Sequence, residues 1–350
     1  MTARLHVIRT LYPHWGRHSG IHQFLRHLDP GRFRIEVHAA ADGDDDFPLR
    51  HPVLRQRLRD LVQRNGMSWY KLSDLRAEAS AFVRCWSGRA DLVHYLDGEH
   101  SAQYLPTLPR RGVPVVASFH QPPELLGGVL SDRAVRRLDR AIAVSPTQVP
   151  WLAERLGPER VELILHGIDT GFFRPREEKR KSDGPFRCIT VGHYLRDFAA
   201  IREIVHRLEG RGFAFDIVTN RETGLEGLPG VHRHQDLDDG RLLALYQQAD
   251  ALLLPVTQST ANNALLEGIA CGLPVVSSLL PSIEAYVHDG SALLVEGNDP
   301  EELAARVLRL RDEPDLAREL GRRSRERAEE LSWQRIAPRY EAVYSSLAYA

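Results

Sequence analysis

The sequence predicts an α/β protein made of two domains, each built on a doubly wound parallel sheet. Its 350 residues exceed what one ordinary hydrophobic core organises. Short β-branched or apolar runs alternate with helical patterns along most of the chain, which is typical of βαβ units. The alternation is interrupted once, by a charged stretch that contains prolines. Together these observations favour two parallel sheets with helices on both faces.

The first half of the chain contains six candidate strands. They share short β-branched or apolar runs and are Leu5–Arg9, Arg34–Ala40, Asp91–Leu96, Pro114–His120, Ala141–Ser145 and Val161–Gly167. Helical patterns at Gly20–Leu28 and Trp69–Trp86 lie between them. This half therefore predicts a first domain over residues 1–170.

The second half repeats the alternation. Its candidate strands are Phe186–Gly192, Phe213–Thr219, Ala249–Pro255, Pro274–Ser278 and Ala292–Glu296. The interrupting stretch, TGFFRPREEKRKSDGP, has no apolar period, so we expect a linker over 171–185. A second domain follows over 186–331, and its last segment is a strongly charged helix. A separate terminal helix occupies 332–350.

Composition narrows the function classes. A net charge of −1 gives no case for bulk attraction to nucleic acid. The cysteines Cys85, Cys188 and Cys271 are far apart, so no disulfide framework or metal-binding pair is indicated and a reducing compartment fits best. The N-terminus lacks the apolar core of a signal peptide, and no run approaches the ~20 apolar residues that span a bilayer. We expect a cytoplasmic protein.

The segment after the strand Ala249–Pro255 has the chemistry of a ligand site. Small polar residues precede the helix ALLEGIA, and they are Ser259, Thr260, Ala261, Asn262 and Asn263. Such residues cap a helix, and helix N-termini bind anions such as phosphate. Glu267 lies one turn in, where its oxygens could accept from a pair of sugar hydroxyls. The alternative is an ordinary capped helix with a surface glutamate.

The stretch STANNALLEGIACGLPVVSS, followed by HDGSALLVEGNDPEELA, resembles the donor-site half of retaining GT-B glycosyltransferases of family four. Their pattern is an acid, seven residues, a second acid and then CGLPVV. LHGIDTGFFRP, RLLALYQQADALLLP and SWQRIAPRYEAVY resemble the family's interdomain segment, the elements before its donor loop and its terminal helix. The resemblance implies two Rossmann-like domains facing a cleft, with the C-terminal helix crossing back to the first domain.

The resemblance also implies roles for individual residues on the donor side. Glu267 matches the second acid, which binds the ribose, whereas Ser259 stands where the first acid contacts the transferred sugar. The helix that begins near Asn262 and Asn263, with Thr260 and Ala261 before it, would hold the diphosphate together with Arg196. The turn after Phe186–Gly192 contributes Gly192 and His193, where His193 replaces an arginine of the family. Residues from His234 to Leu237 would contact the base.

The acceptor side falls in the first domain. Gly16, Ser19 and Gly20 form a glycine-containing turn between a strand and a helix, where a ligand can approach the backbone closely. By the resemblance, His120 faces the transferred sugar and, with Arg196, is assigned as catalytic. Asp97 is a further acceptor-side candidate, and Glu99 and His100 are weaker ones. A structural turn is the alternative interpretation of each.

These residues predict a hexosyltransferase that moves a sugar from a UDP- or GDP-linked donor to a hydroxyl of a small-molecule, lipid-linked or glycan acceptor. The resemblance implies retention of configuration, a leaving phosphate that helps to deprotonate the acceptor, and no metal or cofactor. One alternative is another GT-B-fold enzyme, such as a sugar-nucleotide epimerase. The other is a non-catalytic sugar-nucleotide-binding subunit, because the first acid and a diphosphate-binding lysine are missing.

Two further features carry less weight. DGDDD (Asp42–Asp46) contains the Asp-x-Asp pattern of metal-dependent glycosyltransferases, but it lies in an acidic loop that is best interpreted as solvated. Arg50–Arg64 predicts a basic amphipathic helix. It either packs on its own domain or contacts a membrane surface or an anionic acceptor carrier, which would place the protein at the inner membrane face.

Overall fold

The computed structural model divides into two compact units. The first contains most of residues 1–166 together with the C-terminal residues from Gln334, and the second contains Gly16–Gly20 and Gly167–Trp333. The structure describes residues 2–12, 16–43, 46–63, 69–177, 184–287 and 290–348.

The first unit is built on a six-stranded parallel sheet. Its strands, in chain order, are β1 (Ala3–Leu11), β2 (Phe33–Ala41), β3 (Leu92–Tyr95), β4 (Val115–Phe119), β5 (Arg140–Ala143) and β6 (Val161–Leu163). They lie in the order β2-β1-β3-β4-β5-β6. The chain therefore reverses its direction of winding between β1 and β3, and ligands of such sheets bind beside the carboxyl ends of the strands at this point.

The second unit repeats this design. Its strands are β7 (Phe186–Val191), β8 (Phe213–Val218), β9 (Val231–His234), β10 (Ala251–Leu254), β11 (Val275–Ser278) and β12 (Ala292–Val295). The order β12-β11-β10-β7-β8-β9 is that of a Rossmann sheet, with the reversal between β7 and β10. Two parallel sheets of this kind confirm the predicted fold class.

Helices cover the sheets. In the first unit they are α1 (Pro52–Val62), α2 (Leu72–Trp86), α3 (Gly98–Ser101), α4 (Pro123–Val129), α5 (Asp132–Val135) and α6 (Val149–Leu156), with 3₁₀ turns at Ile21–His27, Leu105–Thr107, Pro146–Gln148 and Pro158–Arg160. In the second unit they are α7 (Phe198–Leu208), α8 (Asp239–Gln248), α9 (Asn263–Ala270), α10 (Pro281–Glu284), α11 (Pro300–Asp312) and α12 (Pro314–Glu330), with a 3₁₀ turn at Glu296–Asn298. Among the described residues no helix combines the length and apolarity needed to cross a membrane.

The terminal helix α13 (Trp333–Ala348) packs on the first unit from Gln334 onward. The ring of Tyr340 stacks on Phe24 with centroids 4.2 Å apart. His94 Nδ1 lies 2.6 Å from the Tyr344 hydroxyl. Both tyrosines are fully buried, so this helix completes the core around β1 and β3.

Every predicted strand overlaps an observed one, and the exceptions are local. β9 was not predicted, because its sequence VHRH is polar and it lies at the edge of its sheet. The helical pattern at Gly20–Leu28 forms a 3₁₀ turn instead of an α-helix. Within the predicted linker 171–185, Phe173 is fully buried and its ring lies edge-on to Tyr246 of the second unit. Its residues 178–183 lie outside the described residues.

Candidate functional site

The predicted donor-site residues converge where the second sheet reverses its winding. The chain leaving β7 passes Gly192 and reaches Arg196, and the chain leaving β10 passes Val256. Arg196 and Val256 form an antiparallel bridge, and Asp197 N donates to the carbonyl of Pro255 (3.0 Å). The two loops are thereby tied together beside the carboxyl ends of β7 and β10, the usual ligand position of this sheet type.

Arg196 is a half-buried cation held in place by neutral acceptors. Nε donates to the carbonyl of Val191 (3.0 Å), Nη1 to that of Tyr194 (3.0 Å) and Nη2 to Oδ1 of Asn262 (3.1 Å). Burial lowers the pKa of Arg196 to about 10. No carboxylate of the described residues forms an ion pair with it. A guanidinium in this state is electrostatically suited to an anionic ligand.

Gly192 makes room for this guanidinium. Its φ is 85°, a conformation that favours glycine. A Cβ at this position would also lie 3.2 Å from Nη2 of Arg196. A side chain here would therefore strain the backbone and crowd the guanidinium.

The helix α9 begins at this point. Asn262 is its N-cap, and Oδ1 accepts from the backbone N–H of Leu265 (3.3 Å) as well as from Arg196. Asn262 and Thr260 are buried, while Ala261 and Asn263 are partly exposed. The positive end of the α9 dipole and Arg196 therefore lie side by side, as a diphosphate requires.

Glu267 lies one turn into α9 and is 4 % exposed. Its Oε2 accepts from the hydroxyl of Tyr246 (2.8 Å), and its Oε1 accepts from the hydroxyl of Ser19 (2.5 Å). Burial raises the pKa of Glu267 to about 7, although both hydrogen bonds oppose the shift. The carboxyl group is therefore held by two hydroxyls, the kind of donor that a ribose would supply.

Ser259, at the position of the family's first acid, is buried. Its hydroxyl donates to the carbonyl of its neighbour Thr260 (3.3 Å). Because the residue is a serine, the loop has no carboxylate at this position, and the hydroxyl that replaces it is used within the loop.

The remaining donor-side predictions concern His193 and the segment from His234 to Leu237. His193 is exposed and Leu237 half-buried, and their roles stay predictions. Nε2 of His234, at the end of β9, lies 2.8 Å from Oδ1 of the buried Asp216. This ring therefore already has a partner within the sheet.

The segment Gly16–Gly20, predicted to lie on the acceptor side, belongs to the second unit. The N–H of Arg17 donates to Oδ2 of Asp239 (2.7 Å), and Nδ1 of His18 lies 2.8 Å from Oδ2 of Asp169. A Cβ at Gly16 would overlap the Asp239 carboxylate, so a side chain there would have to displace that carboxylate. Ser19 thus lies on the donor-side carboxylate, a contact across 248 positions of sequence that no local pattern indicates.

At the carboxyl edge of the first sheet, Asp97 and Glu99 follow β3 and His120 follows β4. Nε2 of the His120 ring donates to the carbonyl of Leu96 (2.8 Å), and the backbone N–H of His120 donates to Oε1 of Glu99 (3.0 Å). Burial raises the pKa of Asp97 to about 7 and that of Glu99 to about 8, and it lowers that of His120 to about 4. Burial therefore favours the neutral forms of Glu99 and His120 near pH 7, whereas Asp97 titrates there.

Two residues of these sites were not singled out by the sequence analysis. Tyr246 faces Glu267 from α8, within the stretch RLLALYQQADALLLP, and a tyrosine in a buried helix face needs a hydrogen-bond partner. Arg9, near the end of β1, has a buried Nε that makes no hydrogen bond among the described residues. An arginine inside an apolar strand was the available signal.

Possible metal ligands are few in the described part of the chain. Of DGDDD, Asp42 pairs with Lys71 (2.5 Å) and Asp46 with Arg76 (2.5 Å). Apart from that loop, His6, Glu36 and His38 have ligand atoms within 4.8 Å of one another. Nδ1 of His6 is already hydrogen-bonded to Nε2 of His38 (2.9 Å), and Glu36 is paired with Arg84 (2.9 Å). This group is complete as a hydrogen-bond network.

Comparison with known families and proteins gives a consistent result. Residues 18–172 match the family described as "Glycosyltransferase Family 4", and residues 191–313 match "Glycosyl transferases group 1". The chain is 28% identical over 298 residues to the MMP alpha-(1->4)-mannosyltransferase of Mycolicibacterium hassiacum, which covers 73% of this chain and 71% of the relative. It is also 28% identical to a D-inositol 3-phosphate glycosyltransferase of Thermomonospora curvata, over 67% of each chain.

Solved structures share the fold. Sucrose-phosphate synthase from Thermosynechococcus elongatus superposes with a TM-score of 0.75 at 18% identity, covering 99% of both chains. Anabaena HepE, in complex with UDP and glucose, superposes with a TM-score of 0.68 at 14% identity, covering 97% of this chain and 99% of that one. At these identities the similarity establishes the two-domain GT-B architecture.

Proposed function

The chain belongs to the group 1 glycosyltransferases of family four, and from that premise we propose that it transfers a hexose from a UDP- or GDP-linked sugar to an acceptor hydroxyl with retention of configuration. The observation that carries the proposal is the pairing of Arg196 with the N-terminus of α9, one turn from Glu267. Arg196 and the N-terminus of α9 would bind the diphosphate, and Glu267, one turn further along the helix, would bind the ribose.

In the proposed reaction, Arg196 and the first N–H groups of α9 stabilise the negative charge that grows on the leaving diphosphate. Hydrogen bonds to Val191, Tyr194 and Asn262 fix the Arg196 guanidinium before the reaction. Little reorganisation of this group is therefore needed as charge develops on the diphosphate. The departing phosphate accepts the proton of the acceptor hydroxyl on the same face of the sugar. The protein needs no carboxylate nucleophile for this route, and we propose that it needs no metal.

A transfer assay tests the proposal. The protein is incubated with UDP-glucose, UDP-N-acetylglucosamine or GDP-mannose, and nucleoside diphosphate release is measured with and without candidate hydroxyl acceptors. The anomeric configuration of the product is read by NMR, and a parallel reaction contains EDTA. We expect release with one donor, an axial product from an axial donor, and an unchanged rate in EDTA.

Substitution of Arg196 links this activity to the site. Arg196→Ala should lower kcat by about 100-fold or more, since one preorganised donor to a developing charge is worth that much. Arg202→Ala is the matched control, because Arg202 donates to the exposed carbonyl of Gly224 and lies outside the candidate site. Equal loss in both variants would contradict the assignment.

A second candidate function is a sugar-nucleotide-binding subunit without activity. Ser259 favours it, because it replaces the carboxylate of the family's first acid and its hydroxyl is used within its own loop. Binding of a nucleoside diphosphate in calorimetry, with neither hydrolysis nor transfer from any donor, would select this function over the first.

We also propose that α1 contacts an anionic membrane surface. Val53, Leu54 and Leu61 of this helix are 54%, 49% and 55% exposed, and Arg50, Arg55, Arg57 and Arg59 flank them. Cosedimentation with phosphatidylglycerol vesicles should exceed that with phosphatidylcholine vesicles and fall on combining Leu54→Glu with Leu61→Glu. Val83→Glu, at an equally exposed position on α2, is the control.

A further inference from the structure

The hydroxyl of Ser19 occupies the place on Glu267 that the proposed function gives to a ribose hydroxyl. Glu267 has two oxygens, and each already accepts one hydroxyl, from Tyr246 and from Ser19. The group is 4 % exposed, so solvent does not provide a third approach. A carboxylate can accept further hydrogen bonds, but a ribose reaches this buried one only by displacing a group that covers it.

Of the two, Ser19 is the replaceable one. Tyr246 projects from the middle of α8, and its side chain is fully buried beside Phe173. Ser19 lies instead in a five-residue segment without helix or strand, between β1 and the turn at Ile21. Moving Tyr246 would open the core of the second unit, whereas moving Ser19 needs only a loop rearrangement.

The Gly16–Gly20 segment is held by more than this one hydrogen bond. The N–H of Arg17 donates to Asp239 at 2.7 Å. The ring of His18 stacks on that of Phe172, with centroids 3.7 Å apart and an interplanar angle of 5°. Its Nδ1 is hydrogen-bonded to Oδ2 of Asp169. Three consecutive residues therefore each make a specific contact with the second unit, which orders the segment over Glu267.

We propose that the Gly16–Gly20 segment is a latch that competes with the donor: Ser19 occupies the ribose position on Glu267, and nucleotide binding displaces it. This inference rests on the proposed function, because it takes Glu267 as the ribose ligand. Its consequence is that the donor-free enzyme keeps a buried carboxyl group hydrogen-bonded, and that part of the donor's binding free energy is used to open the latch.

Ser19→Ala tests the latch in calorimetric titrations with UDP and GDP. Without the competing hydroxyl, the Kd for the nucleoside diphosphate should fall by about ten-fold, the value of one hydrogen bond to an ionised group. His18→Ala, which loosens the segment without touching Glu267, should lower Kd in the same direction by a smaller factor. Ser346→Ala, on α13, is the control and should leave Kd unchanged.

Hydrogen exchange of the full chain gives a second measurement. If the segment acts as a latch, UDP or GDP binding should speed the exchange of backbone amides at residues 17–20 and slow that of backbone amides at 262–267. Slower exchange at 17–20 on nucleotide binding, or a Kd that rises in Ser19→Ala, would overturn the latch and make Ser19 a residue that supports the bound ribose. If neither nucleotide slows exchange at 262–267 in any variant, the proposed donor site itself fails, and the latch fails with it.

Discussion

Two buried glutamates, one in each unit, both accept hydrogen bonds from tyrosine hydroxyls but differ in their other donors. Glu78 on α2 and Glu267 on α9 are both almost inaccessible, and each accepts from tyrosine. Among the described residues, the donors to Glu78 lie in the first unit, and they are the hydroxyls of Tyr70 and Tyr95 and the N–H groups of Gln103, Tyr104 and Leu105. Within the described part of the chain, Glu267 accepts from two hydroxyls alone.

The difference lies in which donors a ligand could replace. Backbone N–H groups around Glu78 cannot leave without unfolding the turn at Leu105, so that carboxylate organises its surroundings permanently. The donors to Glu267 are side-chain hydroxyls, and one of them belongs to a loop. A buried carboxylate is thus a candidate ligand site when its own partners resemble the ligand.

The largest expected effect is on stability at the first glutamate. Glu78→Ala leaves two hydroxyls and several N–H groups without an acceptor, so the free energy of unfolding should fall by about 4 kcal/mol. Glu267→Ala, the matched change in the second unit, should cost about 1 kcal/mol because fewer donors are orphaned. Urea unfolding of both variants measures this, and equal losses would remove the distinction.

Variants of the two glutamates should rank in the reverse order when the loss of nucleotide affinity is measured instead of the loss of stability. Glu267→Ala removes the acceptor that we propose for two ribose hydroxyls and should raise the Kd for the nucleoside diphosphate by about 100-fold. Calorimetry with UDP and GDP measures it. Any folded variant at Glu78, such as Glu78→Gln, should bind as the wild type does; a comparable loss there would mean that Kd reports general destabilisation.

The pH dependence isolates Glu267. Because its folded pKa is raised to about 7, the stability it contributes is present below about pH 4.5 and is lost as the pH rises through 7. Between pH 5 and 8, Glu267→Gln should therefore gain about 3 kcal/mol relative to the wild type. Nucleotide affinity of the wild type should rise over the same range, since only the carboxylate accepts from both hydroxyls. A parallel pair of stability curves would contradict this assignment.

The smallest effects compare the tyrosines. Tyr95→Phe leaves Glu78 with its other donors, so it should cost about 1 kcal/mol of stability and leave Kd unchanged. Tyr246→Phe leaves Glu267 with one donor, raises its pKa further and should weaken nucleotide binding by about five-fold. Thermal unfolding and calorimetry on both variants provide the comparison, and a Kd effect from Tyr95→Phe would reverse it.

Much of the donor site was predictable from sequence because its residues are close along the chain. The helix cap at Asn262 and the acid one turn later follow from local pattern, and strand–helix alternation places them at a carboxyl edge. The role of Arg196 was implied by the family resemblance, on a residue that follows a strand. Its contact with Asn262 spans 66 residues and required the strand order to be known.

The sequence by itself determined the two parallel sheets, the position of the loops that follow their strands and the residue types in those loops, since hydrophobic periodicity and capping are local properties. Only the tertiary structure decided what each functional group touches. Ser19 was assigned to the acceptor and lies on Glu267, and Tyr246 was not singled out although it holds the same carboxylate. Hydrogen bonds between distant segments depend on how the chain closes in space, and no period or spacing encodes that pairing.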